Sequence, residues 1–368
     1  MIPIYKPFLP KDSLRHAHSA LNSTWISSKG RYVEMASESL KELLGVKYIQ
    51  LVNSGTSATH LVSIALTHQH PNIQRLFVPN NVYVAAWNAF LYDKGIELIP
   101  IDADMQTWNI DTQALLRKIK NSPGPSAACI VHNLGNIINV PSLQRSAEGC
   151  VFVEDNCEGF PGKYEGKYSG TESLVSSISF FGNKTITSGE GGAVITNEEE
   201  VYELVRSSHG QGQSRAAPRY IHDKIGYNYR MTNVQAAILF GQLEVLPQIL
   251  EKKQEIFAFY RKEFSSMEEI RIQKTDPDTI HSNWMMGVRV VGACAHQLAK
   301  TLSDEKIETR PMFYPMSRHR HLQAYANKGQ ETVANRLSKE CLLLPSFPEL
   351  TSGELKHVVD TIKRVLVK

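Results

Sequence analysis

The feature that most constrains the fold is an alternation of short apolar runs with helical patterns between residues 48 and 196. Each apolar run is strand-sized and is followed by a polar or glycine-containing turn and, in most cases, by a helical pattern. This alternation is typical of a mostly parallel sheet covered by helices. In such folds, functional side chains gather at the carboxyl ends of the strands. We predict strands at 48–52, 76–79, 97–102, 127–132, 150–154, 174–181 and 193–196.

The segments on either side of this alternation have a different character. Residues 2–34 are predicted to be irregular because prolines recur at positions 3, 7 and 10. A long helical pattern runs from 234 to about 264 and is interrupted at Pro247. Beyond it the pattern suggests a smaller α+β unit, so we predict a large α/β domain over 1–245 and a small domain over 246–368. Further elements are predicted as helices at 35–44, 84–92, 198–208 and 296–302, a strand at 286–291, an extended segment at 309–315 and a terminal helix from 352.

Lys184 lies between two predicted buried strands, in the sequence Ser-Phe-Phe-Gly-Asn-Lys-Thr-Ile-Thr-Ser-Gly-Glu-Gly-Gly that runs from 179 to 192. A lysine in such a place is costly unless it has a partner or a covalent role. Two interpretations are open: a solvated loop lysine, or an amine made nucleophilic for a Schiff base by an apolar, backbone-lined pocket. The glycines around it favour the second, because glycine lets the backbone approach a ligand closely. That interpretation requires an electron-sink cofactor.

A second strand end carries a turn suited to anions. The sequence Asn-Ser-Gly-Thr-Ser-Ala at 53–58 joins a predicted strand to a predicted helix. Free backbone N–H groups and hydroxyls at a helix N-terminus bind phosphate readily. The alternative is an ordinary helix cap provided by Ser54 or Thr56.

Three further side chains are predicted near strand ends. Asp155 directly follows an apolar strand and either caps the next turn or faces the cationic ring nitrogen of a cofactor such as pyridoxal phosphate. Tyr83 either stacks on a flat cofactor or packs in the core. His132 closes another predicted strand and is the least certain member of the set.

Composition excludes several other classes of protein. The 368 residues are 42% hydrophobic and 21% charged, with a net charge of +3, which gives no reason to expect nucleic acid or a membrane surface as a partner. Apolar runs are strand-sized, and the N-terminus lacks the pattern of a signal peptide, so we expect a cytoplasmic protein. The five cysteines are scattered without a C-x-x-C motif; they are expected to be reduced, and no metal site is predicted.

Together these stretches resemble the pyridoxal-phosphate-dependent nucleotide-sugar aminotransferases of the DegT/DnrJ/EryC1/StrS family. The order and spacing of several short motifs carry the resemblance. These motifs are the segments at 2–7, 54–58, 78–85, 102–111, 153–155, 179–192, 226–237 and 344–345. The resemblance implies a fold-type I aminotransferase with pyridoxal 5'-phosphate as its cofactor.

The resemblance also implies roles for individual residues. Lys184 is at the position of the Schiff-base lysine and proton shuttle, Asp155 at that of the partner of the pyridine nitrogen, and Tyr83 at the ring-stacking position. The positions that match the family's phosphate-binding residues are Gly55, Thr56 and Ser179.

Two further positions bear on the site through the same resemblance. Asn228 is at the position of an asparagine that reaches the phosphate in the neighbouring subunit, which implies a homodimer with a shared active site. Glu158 stands where many members have glutamine near the ring's 3-oxygen, so it departs from the common pattern. Lys184 itself argues against the family's dehydratases, which have histidine at that position.

The reaction implied is amino transfer from L-glutamate to C4 of a nucleotide-linked 4-keto-6-deoxyhexose. Perosamine-forming members often have His or Tyr where this chain has Phe181. On that basis we predict dTDP-4-keto-6-deoxyglucose as substrate and dTDP-viosamine as product. The alternatives are a GDP-perosamine synthase, another keto-sugar aminotransferase, and, more remotely, a non-catalytic regulator that binds the cofactor. Substrate contacts are predicted in the 24–31 loop, the 209–230 loop and the 310–319 segment.

Overall fold

The computed structural model describes residues 1–93, 95–326 and 332–366. Strands and helices alternate through its first half, as the sequence pattern predicts. The helices are α1 Lys11–Asn22, α2 Arg31–Leu44, α3 Gly55–Gln69, α4 Ala85–Asn88, α5 Thr112–Lys120, α6 Val140–Ser146, α7 Glu199–His209, α8 Asn233–Glu244, α9 Leu246–Phe264, α10 Ala295–Asp304, α11 Val333–Glu340 and α12 Ser352–Leu366. The strands are β1 Tyr48–Val52, β2 Arg75–Pro79, β3 Glu97–Ile101, β4 Ser126–Val131, β5 Cys150–Asp155, β6 Lys163–Tyr164, β7 Lys167–Tyr168, β8 Ser176–Ser179, β9 Gly192–Thr196, β10 Ile270–Arg271, β11 Thr279–Ile280, β12 Met286–Val290, β13 Arg310–Pro311 and β14 Cys341–Leu344.

Seven of these strands form a central, mostly parallel sheet in the order β1-β9-β8-β5-β4-β2-β3. Within the described part of the chain β9 is the one strand of this sheet that runs against its neighbours. The carboxyl ends of β1, β8, β5 and β2 therefore meet at one edge, and β9 begins there at Gly192. The fold-class prediction of a mostly parallel α/β sheet is confirmed.

Helices cover both faces of the central sheet. The helix α3 packs against β8 and β9 with apolar side chains that include Leu61, Val62 and Leu66. A separate cluster joins β1, β8 and β9 to α2 and α8. Burial on both faces explains why these strands are continuous apolar runs. None of the described helices is long and apolar enough to cross a membrane.

A second sheet of four strands, in the order β10-β12-β14-β13, is formed by residues after 245. It packs with α9, α10 and α12 around its own apolar cluster. The predicted domain boundary at residue 245 falls between α8 and α9. The division into two domains stays a prediction, because a short third sheet, β11-β6-β7, links the two parts of the chain.

Two predictions of secondary structure were wrong. The segment at 2–34 is not irregular throughout: it contains α1, and α2 begins at Arg31. Pro10 stands at the N-cap of α1, where a proline does not interrupt the helix. The helix predicted at 84–92 is regular only over α4, because the following backbone bonds, such as Phe90 N–H to the Trp87 carbonyl, close tighter turns.

Candidate active site

A cavity of about 600 Å³ opens at the carboxyl edge of the central sheet. Asp155 closes β5 and Ser179 closes β8, and these two strands are neighbours. Gly55 and Thr56 begin α3, directly after β1. The lining includes seven of the eight predicted site residues, namely Gly55, Thr56, Tyr83, Asp155, Glu158, Ser179 and Lys184. The fold thus brings together residues that are up to 129 positions apart in the chain (184 minus 55).

Lys184 projects into this cavity without a carboxylate partner among the described residues. Its Nζ lies 3.8 Å from the centroid of the Trp284 ring, a cation–π contact. Its backbone is fixed on both sides, because its N–H donates to the Phe181 carbonyl (2.9 Å) and its carbonyl accepts from the Tyr5 hydroxyl (2.8 Å). The amine lies against an aromatic ring inside the cavity, which favours the interpretation of a nucleophilic amine over that of a solvated loop lysine.

The N-terminus of α3 presents unused donors to the same cavity. Ser54 is the N-cap, and its hydroxyl accepts from the Ser57 N–H (3.0 Å). The N–H groups of Gly55 and Thr56 form no hydrogen bond within the described part of the chain. They remain available for an anion. The cap is observed at Ser54, and an anion site at the next two residues stays a prediction that is compatible with it.

Gly55 is required by the packing of this corner. A Cβ at position 55 would lie 2.7 Å from the Cβ of Ser179 and 2.8 Å from its Oγ. The absence of a side chain lets the Ser179 hydroxyl come beside the α3 N-terminus. Gly192 has a similar role, since a Cβ there would lie 2.6 Å from the Ser54 carbonyl oxygen. The predicted close approach of the glycine cluster is thus observed at Gly192.

Two buried carboxyl groups line the cavity opposite the α3 end. The Asp155 carboxylate accepts the Cys157 N–H (3.1 Å), and the Glu158 carboxylate accepts the Leu134 N–H (2.8 Å). Burial raises the pKa of Glu158 to about 7, while the charge of Lys184 and the Leu134 hydrogen bond act in the opposite direction. Glu158 is therefore a carboxyl group that changes protonation near neutral pH.

The mouth of the cavity is built from more exposed side chains. Tyr83 is 60% exposed, and its ring centroid lies 6.2 Å from that of Phe313. Phe181, 46% exposed, also lines the cavity. Arg310 lies at the same opening and pairs with Glu308 (2.7 Å). Tyr83 is thus at the site rather than in the core.

Two residues singled out in the sequence lie outside the cavity: Asn228, which is predicted to act in the neighbouring subunit, and His132. Asn228 is exposed, and its side-chain oxygen accepts from Arg230 (2.9 Å). The prediction that His132 lies at the site is wrong. His132 is fully buried, with Nε2 2.7 Å from Glu154, and its Nδ1 accepts the Ile138 N–H (3.1 Å). An accepting Nδ1 makes this histidine neutral, with its proton on Nε2. It supports the strand end structurally.

Two aromatic residues that contact Lys184, Tyr5 and Trp284, are not among the predicted site residues. Trp284 also donates its indole N–H to the Asn183 carbonyl (2.7 Å). Both come from parts of the chain remote from the lysine, and neither belongs to a motif at a strand end. Only the fold reveals them.

These groups define the class of protein. Pyridoxal phosphate needs a lysine amine, a carboxylate for its ring nitrogen and donors for its phosphate. The cavity contains a lysine amine without a carboxylate partner, buried Asp155, and donors at the α3 N-terminus beside Ser179 that no acceptor uses, as far as the described residues go. The residues present fit this cofactor, and the fold and site are those of a fold-type I, pyridoxal-phosphate-dependent aminotransferase.

Comparison with known proteins gives the family. Residues 8–363 match the model of the DegT/DnrJ/EryC1/StrS aminotransferase family, and the chain belongs to that family. It is 37% identical to the GDP-perosamine synthase of Escherichia coli O157:H7, over 98% of this chain and 97% of that protein. It is 32% identical to the GDP-perosamine synthase of Vibrio cholerae, over 99% and 98% of the two chains. The predictions of the family, of a transaminase activity and of pyridoxal phosphate as cofactor are confirmed.

A solved structure supports the same fold. Helicobacter pylori PseC, an aminotransferase involved in the biosynthesis of pseudoaminic acid, superposes with a TM-score of 0.91 at 22% identity, covering 99% of each chain. At this identity the likeness concerns the fold.

Proposed function

We propose that this protein transfers an amino group from L-glutamate to C4 of GDP-4-keto-6-deoxymannose, giving GDP-perosamine. The similarity to two GDP-perosamine synthases along almost the whole chain is the observation that carries the proposal. The sequence-based prediction of dTDP-viosamine rested on Phe181 alone and remains untested. Phe181 lies at the exposed mouth of the cavity, where substrate-specific differences between relatives are tolerated.

Within this proposal Lys184 holds the cofactor and carries the proton that moves during amino transfer. Its amine can do so because no carboxylate of the described chain fixes it in an ion pair. The contact with Trp284 leaves Nζ within the cavity. Pyridoxal phosphate, when bound, supplies the electron sink. A lysine acts as a base in its uncharged form.

The remaining residues bind and orient the cofactor. Asp155 would keep the ring nitrogen protonated, since a carboxylate beside a cationic nitrogen favours the charged form. Gly55 and Thr56 would donate backbone N–H groups to the phosphate, and Ser179 would add its hydroxyl. Tyr83 would stack on the ring, and Glu158 would contact the ring's oxygen substituent or the sugar.

A direct competition between substrates tests the proposed sugar. GDP-4-keto-6-deoxymannose and dTDP-4-keto-6-deoxyglucose are each offered with L-glutamate, and kcat/KM for the amino sugar is measured. We expect a preference for the GDP sugar of at least ~100-fold, the order of discrimination that a few direct contacts provide. A preference for the dTDP sugar would support the sequence-based prediction of dTDP-viosamine instead. The same assay with Phe181→His tests whether position 181 determines the choice between the two sugars.

We further propose that the active site is shared by two copies of the chain, with Asn228 reaching the partner's cofactor phosphate. Asn228 is exposed and outside its own chain's cavity, although its carbonyl accepts from Asn53 (3.2 Å) beside the α3 N-terminus. The surrounding loop exposes large apolar side chains that a partner would cover, including Tyr220 and Ile225. The flanking rings of Tyr227 and Tyr229 are stacked (5.0 Å), which holds this loop in shape.

Mixing two inactive variants tests the shared site. Lys184→Ala and Asn228→Ala homodimers are purified, mixed under exchange conditions, and assayed. If Asn228 acts on the partner, each mixed dimer contains one site with both native residues, and about a quarter of wild-type activity returns when exchange is complete, since half of the dimers are mixed. No recovery, with mixed dimers shown by mass, would contradict the proposal.

A further inference from the structure

A second lysine, Lys253 on α9, is entirely buried. Its Nζ donates to the carbonyl oxygen of Trp284 (2.8 Å) and to that of Ser346. Within the described part of the chain no carboxylate forms an ion pair with it. Lysine is almost never fully buried, and a buried cation without a counter-charge is costly. A residue retained under that cost invites a functional explanation.

Lys253 lies directly behind the catalytic lysine. The Trp284 carbonyl that it binds belongs to the same residue whose indole ring lies 3.8 Å from Lys184 Nζ. The indole N–H is in turn bonded to the carbonyl of Asn183, the neighbour of Lys184. Tyr5 lies between the two lysines as well: its ring centroid is 5.4 Å from Lys253 Nζ, and its hydroxyl binds the Lys184 carbonyl.

Both ends of Trp284 are therefore fixed, the backbone by Lys253 and the ring by the Asn183 carbonyl. A hydrocarbon side chain at position 253 would fill the same space without holding the Trp284 carbonyl. Replacing a buried charge by an apolar group of similar volume is often neutral for stability. The carbonyls of Trp284 and Ser346 therefore depend on the N–H donors of Lys253 and not on the volume of its side chain.

The state of charge of Lys253 is compatible with this arrangement. Burial lowers the pKa of Lys253 to about 7, so the side chain is neutral in part of the population near neutral pH. A neutral amine still has two N–H groups, and two carbonyl oxygens accept from it. The two hydrogen bonds from Lys253 to the Trp284 and Ser346 carbonyls can therefore persist when the side chain is neutral.

We propose that Lys253 is a positioning residue of the amino-transfer site: by binding the Trp284 carbonyl it holds the indole ring against the amine of Lys184. The inference rests on the role of Lys184 proposed above. It adds that the small-domain part of the chain sets the environment of the reacting amine through Trp284. Lys253 is not one of the residues that line the cavity; it acts through the tryptophan, which is.

The test is a double-mutant cycle of Lys253→Met and Trp284→Ala in the full-length, cofactor-free protein. The readout is the rate at which trinitrobenzenesulfonate labels Lys184 at fixed pH, followed by peptide mass. The ring lies against Nζ and limits its access to the reagent, so releasing the ring raises labelling by about 3- to 10-fold. We expect this rise in K253M and in W284A, and no further rise when K253M is added to W284A.

Controls separate positioning from general stability. Lys252→Met changes the exposed neighbour on the same helix and should leave labelling of Lys184 unchanged. In the cofactor-loaded enzyme, K253M should lower kcat by about 10-fold with KM for the sugar within twofold. If K253M does not fold, Lys253→Gln, which keeps two N–H donors on a shorter side chain, is carried through the same cycle and should label Lys184 at a rate between wild type and W284A.

Three outcomes would overturn the inference. Labelling of Lys184 could be unchanged in a folded position-253 variant, or K253M could raise labelling equally in wild type and in W284A. The third is that K253M lowers only the melting temperature. Failure of the proposed function looks different, because wild-type protein supplied with pyridoxal phosphate would then show no lysine-bound absorbance band and no amino transfer.

Discussion

The deep end of the cavity and its mouth are built in different ways. The deep end consists of groups at the ends of sheet strands or at a helix N-terminus: Asp155 and Ser179 are buried, and Gly55 is half-buried. The mouth consists of exposed side chains on loops and short segments, such as Tyr83, Phe181 and Arg310. A rigid sheet edge fixes one geometry, and loops tolerate exchange. We therefore propose that the deep end determines the cofactor and that the mouth determines the choice of sugar.

The largest expected effect comes from the deep end. Lys184→Ala should abolish the cofactor's lysine-bound absorbance band and lower kcat by at least ~1,000-fold, because the amine that binds the cofactor and moves the proton is gone. Spectra and turnover are measured on the same preparation. Lys167→Ala, at an exposed lysine paired with Glu172, is the matched control and should behave as wild type. Retained turnover in K184A would refute the role of Lys184.

Asp155→Asn should lower kcat by about 10- to 1,000-fold. This range corresponds to a fall of about one to three units in the pKa of the ring nitrogen when the carboxylate beside it is lost. The variant keeps the shape of the side chain and an oxygen for the Cys157 N–H, so the cofactor should still bind. Activity and the absorbance spectrum are compared with those of Asp360→Asn, an exposed aspartate on α12. Activity within twofold of wild type would show that Asp155 only caps its turn.

Glu158→Gln tests the electrostatics of the deep end. Burial raises the pKa of Glu158 from 4.5 to about 7, so the folded protein binds this proton more tightly than the unfolded chain. The contribution of Glu158 to stability is then complete below pH 4.5 and is lost as the pH rises toward 7, by about 3 kcal/mol.

Urea unfolding of the cofactor-free protein at pH 5 and pH 8 measures this effect. We subtract the free energy of unfolding of E158Q from that of wild type at each pH. This difference should be smaller at pH 8 than at pH 5, because Glu158 titrates and glutamine does not. A difference that is independent of pH would mean that Glu158 is ionised throughout this range.

The smallest effect is expected at the mouth. Arg310→Ala should raise KM for the nucleotide sugar about fivefold, because an exposed ionic contact with the substrate contributes about 1 kcal/mol to binding. The lysine-bound absorbance band should be unchanged. Arg364→Ala removes an equally exposed arginine, paired with Glu305, and should leave KM unchanged. A change in the absorbance band of R310A would show that the mouth and the deep end are not independent.

Most of the deep end could be predicted from the sequence because each of its residues lies within a short motif at a strand end. Lys184, Asp155 and the turn at 53–58 can each be read from neighbouring residues. Trp284 and Tyr5 could not, because only the packing of distant segments brings their rings to the lysine. His132 satisfied the positional criterion but is bonded to Glu154 in the interior, and no local pattern distinguishes such a residue from one that faces a cavity.

The fold shows the same division between local and distant information. The alternating pattern predicted the sheet well, because both its faces are buried and its strands are apolar throughout. The helix α1 is not predicted, because the prolines before it suggest an irregular segment. The last of them, Pro10, stands at the start of the helix, where the missing N–H costs nothing. Its position relative to the first turn decides its effect.

The most direct test of the central claim is to locate the cofactor on the chain. Purified protein is loaded with pyridoxal phosphate, reduced with sodium borohydride, digested and mapped by mass spectrometry. We expect one modified site, Lys184, and no modification of Lys253, which is buried behind it. Attachment at another lysine, or no attachment at all, would show that Lys184 does not carry the cofactor.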